Sequence, residues 1–405
     1  MANRTMVGGT LGFWSRMSIN GGSQMKHFYP LHFIRSSVMS IVIVFSLAGN
    51  SMSEENAISQ TRISTTLDAN ERSQIVDAVI ETLQKYYIYP DKADEMVGLL
   101  KRKLNAGEYD GFTNRDPFIS ELTRDLRSVT NDLHLGVWPI ETSLTLGEIS
   151  EEERQKETVR KRYENYGIPT AKRLQGNIGY LEIMDFEASE QAGAAAVSGM
   201  NFLANCDAII IDLRRCGGGE GPNGLLILSY FFREPVHLNS AYTRYTDVTE
   251  QIWTLPYVPG PTMPDIPVYV LQSRRTASAA EGMVYSLKTR RRATIVGEKT
   301  RGAANMIDEI NFPELSISVA VSISRVFNPI TGTSWEGVGI EPDIDIPAEK
   351  ALQAACRHAA DKLLQSEKDG DIRRRRQWAL DLYEAELNPT EIDDASIRQL
   401  CGKYS

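Results

Sequence analysis

The chain has 405 residues, of which 42% are hydrophobic and 24% are charged. This composition is that of an ordinary globular protein and excludes a disordered chain or an integral membrane protein. The formal net charge of −9 argues against nucleic acid as a partner, because a protein that neutralises phosphates needs a basic surface. A chain of this length can bury one large core or two smaller ones.

The N-terminus has the pattern of an export signal. Lys26 and Arg35 precede the apolar run SVMSIVIVFSLA at residues 37–48. The run is shorter than the ~20 residues that a membrane span needs, and small residues stand at its end. We therefore expect a signal peptide at 1–48, with Met25 as an alternative translation start. The mature chain is then periplasmic or extracellular and has no stable membrane span.

Export makes the four cysteines candidates for disulfide bonds. Cys206 and Cys216 flank DAIIIDL, which has the pattern of a strand. A strand rises ~3.3 Å per residue, so these two cysteines are too far apart to pair. Cys356 and Cys401 both lie in the C-terminal tail, where a disulfide and a reduced pair both remain open.

The first part of the chain after the leader has helical periodicity. From Leu67 to about residue 111, apolar residues recur at helical spacing, with a break at Pro90. Asp116 and Pro117 have the pattern of an N-cap and a first-turn proline for a third helix. The strongly charged stretch GEISEEERQKETVRKRYENYG then predicts a connecting helix.

Beyond Gly176 the hydrophobic period changes, because short apolar strands alternate with helices. This alternation predicts an α/β fold with a largely parallel sheet covered by helices. The predicted strands are IGYLEIM, DAIIIDL, PVYVLQ and ATIVGE, and the predicted helices run through AGAAAVSGMNFLA, near GLLILSYFF and from Ser278. The stretch LSISVAVSISRV at 315–326 alternates strictly and predicts a half-exposed strand.

These patterns divide the chain into successive segments. We expect a signal peptide at 1–48, a linker at 49–66, a helical N-terminal domain at 67–138, a connecting segment at 139–175, an α/β core at 176–348 and a helical C-terminal tail at 349–405.

Ser278 lies in RRTASAAEGM, where a predicted strand ends and a helix begins. A serine at the start of a helix is most often an N-cap. The alternative is a nucleophile, because the helix start offers backbone N–H groups and a positive dipole end to an oxyanion. The Gly-x-Ser-x-Gly motif of α/β-hydrolases is absent.

A nucleophilic serine needs a base, and the chain has five histidines. His27 and His32 lie in the leader, and His358 lies on a predicted tail helix. His134 lies in TNDLHLGVW, where the helical segment ends, whereas His237 lies in REPVHLNS, which has the pattern of a surface turn.

Five motifs carry a resemblance to a known family: TNDLHLGVW, IIIDLRRCGGG, TASAAEGM, VGEKTRGAAN and WEGVGIEPDI. In this order and approximate spacing they resemble the S41 serine peptidases. That family includes the C-terminal processing peptidases, the tricorn protease core and the interphotoreceptor retinoid-binding proteins. The resemblance spans roughly residues 67–347. It implies a ClpP/crotonase-like α/β core behind a helical N-terminal domain, with Ser278 as the nucleophile.

Two differences from the C-terminal processing peptidases indicate which branch of this family the chain resembles. The C-terminal processing peptidases pair their serine with the lysine of a Gly-Lys-Gly, where this chain has Ala303, and Lys299 stands at another position of the motif. The stretch between the histidine motif and the core is also too short for a PDZ domain. The chain therefore resembles the tricorn and retinoid-binding branch, which implies His134 as base and Glu336 as its support. The serine that precedes the histidine in the tricorn type is Leu133 here.

The oxyanion donors follow from the same resemblance and the same chemistry. The backbone N–H of Ala279 and that of Gly217 or Gly218 are expected to meet the tetrahedral oxyanion. Cys216 stands where most members of the family have asparagine.

Two rival functions remain open. The stretch GEGPNG at 219–224 matches Gly-x-Gly-x-x-Gly, although Pro222 and the absence of a suitably spaced acidic residue weigh against a dinucleotide. The retinoid-binding relatives suggest a non-catalytic carrier of an apolar ligand, whereas the presence of Ser278 and His134 favours an enzyme. No Walker lysine and no Cys/His cluster indicates a cofactor or a metal.

The expected function is therefore that of a serine peptidase acting on a peptide or protein substrate. Arg274 and Arg275 precede Ser278 on the same loop. Either could anchor a substrate carboxylate through charge-assisted hydrogen bonds, or both could be solvated loop residues. The sequence does not indicate an oligomeric state.

Overall fold

The structure of the protein is a computed structural model that describes residues 67–140 and 151–389. The predicted signal peptide and Cys401 lie outside the described residues. Within those residues, no helix has the length and apolar character needed to cross a membrane. Cys206 and Cys216 are buried free thiols, as expected from their separation.

The secondary structure follows the chain as alternating helices and strands. The helices are α1 Ala69–Tyr86, α2 Pro90–Asn105, α3 Arg115–Val129, α4 Glu151–Tyr163, α5 Glu190–Leu203, α6 Gly221–Ser229, α7 Ala279–Thr289, α8 Ala351–Ser366 and α9 Gly370–Leu387. The strands are β1 Gly136–Pro139, β2 Thr170–Leu174, β3 Ile178–Glu182, β4 Ala208–Asp212, β5 His237–Thr243, β6 Val248–Trp253, β7 Val268–Gln272, β8 Ala293–Gly297, β9 Met306–Phe312, β10 Ile317–Phe327 and β11 Ile344–Asp345.

Helices α1 to α3 form at the positions that the helical periodicity predicts. Asp68 caps α1 by accepting a hydrogen bond from the backbone N–H of Glu71, and Pro90 is the first residue of α2. The N-cap of α3 is Asn114, so the assignment of this position to Asp116 is wrong by two residues. Asp116 lies in the first turn instead, where a negative charge is also favoured by the helix dipole.

The charged stretch after β1 forms α4, none of whose residues is buried. A helix at this position agrees with the prediction of a connecting helix. Within it, charged pairs such as Lys156 with Glu152 and Arg160 with Glu164 are spaced one turn apart. Such exposed pairs stabilise a helix only weakly.

A six-stranded sheet forms the centre of the fold and confirms the α/β class. Its strands lie in the order β11-β8-β7-β4-β3-β2. All neighbours are parallel except the edge pair β2 and β3. The four predicted strands of this region correspond to β3, β4, β7 and β8, whereas β2 and β11 were not predicted.

Helices cover both faces of this sheet. Ile209 and Ile211 of β4 point into a core shared with α5, α6 and α7, and Ile210 points into a second core shared with α8 and α9. Successive side chains of a strand face opposite sides, so a strand buried on both faces is apolar at every position. This is why DAIIIDL has no polar alternation.

A second, antiparallel sheet joins the N-terminal helices to the core. Its order is β1-β10-β5-β6, with β9 on the other side of β10. Ile317, Val319 and Val321 of β10 belong to the same apolar core as α1, α2 and α3. The N-terminal helices are therefore packed against a strand that follows Ser278 in the chain.

Two predictions in this sheet are wrong. Strand β10 is buried on both faces rather than half-exposed, since Ser318 and Ser322 on its second face are also covered. Small hydroxyl side chains look exposed in a sequence pattern, but a strand with neighbours on both sides can bury them. His237 begins β5 rather than lying in a surface turn, and its ring stacks on Trp253 at a centroid distance of 5.1 Å.

The second sheet also places the segments that carry the site. β1 begins two residues after His134, and β9 begins directly after Asn305. Both strands pair with β10, one on each side. The segments before these strands are thereby brought close to each other.

Candidate active site

Ser278 lies between the carboxyl end of β7 and the first residue of α7, in a rarely adopted backbone conformation. Its φ is 54° and its ψ is −125°. An ordinary N-cap residue has an extended backbone with negative φ. A non-glycine residue in such a region costs ~1–3 kcal/mol and persists only where the surrounding structure imposes it. Helix capping therefore does not explain the conformation of Ser278, although the residue occupies the N-cap position.

The loop that carries Ser278 is tied to the loop that follows β4. Thr276 Oγ1 donates to the carbonyl of Leu213 at 2.8 Å and accepts from the backbone N–H of Ser273 at 2.9 Å. Ser273 Oγ in turn donates to the carbonyl of Arg214 at 2.6 Å. The two loops leave the carboxyl ends of neighbouring parallel strands, where α/β proteins place their ligand sites.

The glycine loop approaches Ser278 closely. A Cβ on residue 218 would lie 2.7 Å from the Cβ of Ser278 and 3.1 Å from the backbone nitrogen of Ala279. The φ of Gly218 is 119°, so only glycine fits here both sterically and conformationally. Within the described residues, the backbone N–H groups of Gly217, Gly218 and Ala279 donate no hydrogen bond to a protein acceptor. This arrangement leaves N–H donors available beside the serine.

Cys216 stabilises the same loop without being reactive. The residue is fully buried, its Sγ lies 3.7 Å from the carbonyl of Gly218, and its own carbonyl accepts from Ala277 N–H at 3.3 Å. Burial raises the pKa of the Cys216 thiol to about 12. A thiol with such a pKa stays protonated and is a poor nucleophile.

Glu281 lies one turn after Ser278 and is fully buried. Its carboxylate accepts hydrogen bonds from the backbone N–H of Ser278 at 3.0 Å, from Thr300 Oγ1 at 2.5 Å, and from the N–H groups of Gly302 and Ala303 at 2.7 and 2.9 Å. Burial raises the pKa of Glu281, while these four donors favour the charged form. One side chain thus joins the loop of Ser278 to the segment after β8.

Glu336 binds the next residues of the segment that follows β8. Its Oε2 accepts from the N–H groups of Ala304 and Asn305 at 2.6 and 2.8 Å. Its Oε1 is buried and has no hydrogen-bond partner. Burial, and next the negative charge of Asp132, raise the pKa of Glu336 to about 7.

The backbone around His134 is held on both sides. Its N–H donates to Asp132 Oδ1 at 3.0 Å, and Tyr87 Oη donates to Asp132 Oδ2 at 3.2 Å. The Arg127 guanidinium donates to the carbonyls that flank His134, those of Leu133 at 2.9 Å and Leu135 at 2.8 Å. The imidazole is therefore presented by a rigid turn between α3 and β1.

The environment of the His134 ring favours its neutral form. Burial lowers the pKa of His134, and the positive charges of Arg301 and Arg127 lower it further. The charge of Asp132 and a hydrogen bond with the backbone of Asn305 act in the opposite direction. A neutral imidazole can accept a proton, as a general base requires.

His134 Nδ1 and Glu336 Oε1 are both buried, and neither has a hydrogen-bond partner in the part of the chain that the structure describes. Buried polar atoms are usually satisfied by protein or by ordered water. Both residues lie next to Asn305, and Asn305, Asp132 and Glu336 line a cavity of about 310 Å³. Glu336 therefore lines a polar cavity that is large enough to hold an ordered water.

The structure brings the predicted site residues together in two groups. Ser278, Ala279 and Gly218 are adjacent, and His134 and Glu336 share Asn305 as a neighbour. Within the described residues, however, Ser278 Oγ forms no hydrogen bond with His134. Residues 300–305 instead connect the two parts of the site, through hydrogen bonds with Thr276, Glu281 and Glu336.

The other candidate residues lie in different surroundings. Lys299 pairs with Glu341 at 2.8 Å on the surface, and Ala303, at the position of the family's lysine, is buried. His358 bonds through Nδ1 to Tyr269 Oη at 2.9 Å, far along the tail helix. Arg274 has a side chain that is 84% exposed and lies 3.9 Å from Glu298. Arg275 is also exposed.

Sequence reasoning missed three residues of this site. Glu281 follows Ser278 in an S-x-x-E pattern, and this capping-box signature was available in the sequence. Asp132 precedes His134 by two residues, the spacing of an Asx turn. Asn305 carries no recognisable signal, because its role depends on how residues 300–305 pack against the helical part. No group of metal-ligating side chains is found in the described residues.

Comparison with known proteins agrees with this architecture. The model of peptidase family S41 matches residues 177–346, and the model of the N-terminal domain of peptidase S41 in eukaryotic IRBP matches residues 56–169. The second match covers helices α1 to α4 and His134, and the first covers Ser278 and five strands of the six-stranded sheet, all but β2. The fold and the matches define a protein of the S41 type.

The curated relatives are C-terminal processing peptidases. Carboxyl-terminal-processing peptidase 2 of Arabidopsis thaliana is 28% identical over 189 residues, which cover 44% of this chain and 34% of that protein. The carboxy-terminal-processing protease of Bartonella bacilliformis is 27% identical over 176 residues, 42% of this chain and 39% of that protein. The matched part therefore spans well under half of either relative.

A solved structure supports the fold. The crystal structure of a candidate peptidase from Parabacteroides merdae aligns with a TM-score of 0.51 at 18% identity, covering 72% of this chain and 97% of that one. The chain belongs to peptidase family S41, which confirms the resemblance carried by the five motifs.

The role of Glu281 generates a prediction. Glu281→Gln places an amide NH₂ against backbone donors, so we expect the free energy of unfolding to fall by roughly 2–3 kcal/mol. We also expect turnover of a peptide substrate to fall by about 10²-fold, because Ser278 is displaced. Thermal denaturation and steady-state kinetics measure the two effects.

The matched control is Glu190→Gln, in the first turn of α5, where the side chain is exposed. This variant should leave both stability and turnover unchanged. Equal behaviour of the two variants would contradict the positioning role of Glu281.

Proposed function

We propose that the protein is a serine peptidase with Ser278 as nucleophile, His134 as general base and Glu336 as the group that supports the imidazole. The observation that carries the proposal is the strained backbone of Ser278, at φ 54°, beside unpaired backbone N–H groups. Membership of a peptidase family supports it. The substrate is a peptide or protein, in keeping with the names of the curated relatives.

In this mechanism the imidazole of His134 takes the proton of Ser278 Oγ as the oxygen attacks the scissile carbonyl. The oxyanion of the tetrahedral intermediate accepts hydrogen bonds from Ala279 N–H and from Gly218 or Gly217 N–H. His134 then returns the proton to the leaving amine, and water hydrolyses the acyl-enzyme by the same steps.

The missing hydrogen bond between Ser278 Oγ and His134 is compatible with this mechanism. Catalytic hydrogen bonds are often long in the absence of substrate and shorten when it binds. Residues 300–305 connect the two loops through Glu281 and Glu336. We expect the contact between Oγ and the imidazole to form when substrate binds.

The alternative function, a carrier for an apolar ligand, has less support. The cavity that Glu336 lines is bounded mainly by polar side chains, among them Asn131, Asp132 and Asn305. Pockets for apolar ligands are lined mainly by hydrophobic and aromatic side chains. This cavity therefore does not have the lining expected of a site for an apolar ligand.

The identity of the base can be tested by two substitutions. His134→Ala is expected to lower kcat by 10²–10⁴-fold, because proton transfer to and from Ser278 is lost. Lys299→Ala should leave kcat unchanged, since Lys299 pairs with Glu341 at the surface. Hydrolysis of a fluorogenic peptide by both variants and by Ser278→Ala measures this, and the opposite pattern would support a serine/lysine dyad instead.

The pKa of Glu336, raised to about 7, predicts the pH dependence. Only the ionised carboxylate stabilises the imidazolium, so kcat should fall as the pH drops through about 7. In Glu336→Gln this titration is removed. The remaining, lower activity should then persist to a more acidic pH, because the pKa of His134 is below its usual 6.5.

The control for this experiment is the pH dependence of stability, which separates titration of the site from acid unfolding. A pH profile of kcat that Glu336→Gln leaves unchanged in shape would exclude Glu336 as the titrating support.

We also propose that the chain is exported, because residues 37–48 form a short apolar run behind basic residues. The mature protein should begin near Gly49 and occur outside the cytoplasm. Cell fractionation followed by N-terminal sequencing measures both. Recovery of the mature protein with Met1 or Met25 at its N-terminus would contradict this proposal.

A further inference from the structure

A buried tyrosine at the end of α1 contacts the turn that carries His134. The side chain of Tyr87 is fully buried, and its Oη donates a hydrogen bond to Asp132 Oδ2 at 3.2 Å. The same hydroxyl lies 3.3 Å from Thr130 Oγ1. A buried tyrosine hydroxyl usually has a hydrogen-bond partner, and both partners here lie in the segment between α3 and β1.

The position of Tyr87 is fixed by elements other than that turn. Its backbone N–H donates to the carbonyl of Leu83 at 3.1 Å at the end of α1. The N–H of the next residue, Ile88, donates to the carbonyl of Ser322 in β10 at 2.8 Å. The ring of Tyr87 also belongs to the apolar core that β10 shares with the N-terminal helices. The hydroxyl is therefore held on a rigid corner between α1 and α2.

Asp132 connects this hydroxyl to the base. The carboxyl group is buried, its Oδ1 accepts from the backbone N–H of His134 at 3.0 Å, and its Oδ2 accepts from Tyr87. These are its two hydrogen bonds to residues that the structure describes. A buried acceptor that loses a donor is destabilised. Without the hydroxyl of Tyr87, the carboxyl group is expected to turn towards another donor and to release the N–H of His134.

Packing alone does not require a hydroxyl at this position. Tyr109 is equally buried in the same apolar core, and its Oη donates to Asp125 Oδ2 at 2.7 Å. Asp125 lies within α3 and also accepts from Lys103 Nζ, rather than bonding to the turn of His134. The two tyrosines thus make the same kind of bond in the same part of the fold, and only that of Tyr87 leads to the base.

We propose that Tyr87 is a positioning residue for the base, because its hydroxyl, acting through Asp132, fixes the turn that presents the imidazole of His134. The inference rests on the proposed function, in which His134 takes the proton of Ser278. It gives the N-terminal helices a part in the reaction besides packing. The position of the base is then set by the corner between α1 and α2.

Tyr87→Phe tests the proposal, because it removes the hydroxyl and keeps the ring. We expect kcat for a fluorogenic peptide to fall about tenfold, since a loosened turn misplaces the base. KM should stay unchanged, because no contact with the peptide is removed. Rates are expressed per active site, counted as the Ser278 that a fluorophosphonate labels at completion, so that a loss of folded protein does not appear as a loss of kcat.

Tyr109→Phe is the matched control. We expect it to lower the melting temperature as Tyr87→Phe does and to leave kcat unchanged. An equal fall of kcat in both variants, or a wild-type kcat in Tyr87→Phe, would overturn the proposal.

A double substitution shows whether Tyr87 acts through the base. Residues that act as a unit are not additive, so Tyr87→Phe should cause no further loss of kcat in a His134→Ala background. The same tenfold fall in that background would show that Tyr87 acts elsewhere and would overturn the proposal. A wild-type kcat in His134→Ala alone would refute His134 as the base, and with it the positioning role of Tyr87 in the reaction.

A measurement without turnover separates the contact from the proposed function. In protein with labelled histidines and Ser278→Ala, the NMR signal of the His134 ring should shift on Tyr87→Phe, while the signals of His237 and His358 should not. Tyr109→Phe should shift none of the three. Because phenylalanine keeps the aromatic ring, such a shift reports the lost hydroxyl, and it supports the connection even where no peptide is hydrolysed. An unchanged His134 signal in Tyr87→Phe would overturn the inference even where peptides are cleaved.

Discussion

The buried carboxylate of Glu281 is the interaction on which the arrangement of the site depends. It accepts four hydrogen bonds from two loops that are far apart in sequence, one carrying Ser278 and the other residues 300–303. A buried negative charge is costly unless its hydrogen-bond donors are in place. The carboxylate therefore holds the two loops in a fixed position relative to each other. Glu336 binds the next two residues of the same segment in a similar way, by accepting hydrogen bonds from the N–H groups of Ala304 and Asn305. Residues 300–305 thereby form a frame between the loop of Ser278 and the segment that contains Glu336.

This frame also explains how strain at Ser278 is maintained. The positive φ of Ser278 and the close approach of Gly218 both raise the energy of the turn, and neither is needed for a helix to begin there. The cost is offset by the hydrogen bonds of Thr276, Ser273 and Glu281 and by the packing of α7 in the core. The result is a serine oxygen held beside unpaired N–H donors.

The sequence was informative where burial is local and misleading where burial depends on distant partners. The apolar run in DAIIIDL is enough to indicate a strand that is buried on both faces. The central strand and the glycine loop after it could therefore be predicted. Strand β10 could not be predicted as buried, because its second face is covered by elements from other parts of the chain. The antiparallel strands β5, β6 and β9 were missed for the same reason, since their residues alternate with turns and polar positions.

The candidate site shows the same difference between features that are local in sequence and features that depend on distant residues. Ser278 and His134 were identifiable from motif order and by elimination among few histidines, and the S-x-x-E spacing of Glu281 was visible. The hydrogen bonds of residues 302–305 with Glu281 and Glu336 were not, because they arise only when this segment folds between two loops. Arg274 and Arg275 were favoured because they are near Ser278 in sequence, whereas proximity to the base is set by the tertiary fold.

The most direct test of the central claim, that Ser278 is an activated nucleophile, is covalent labelling. The protein is treated with a fluorophosphonate probe, digested, and the modified residue is mapped by mass spectrometry. The structure predicts modification at Ser278, slowed strongly in His134→Ala. Modification at a different residue, or none under conditions that label a known serine hydrolase, would contradict it.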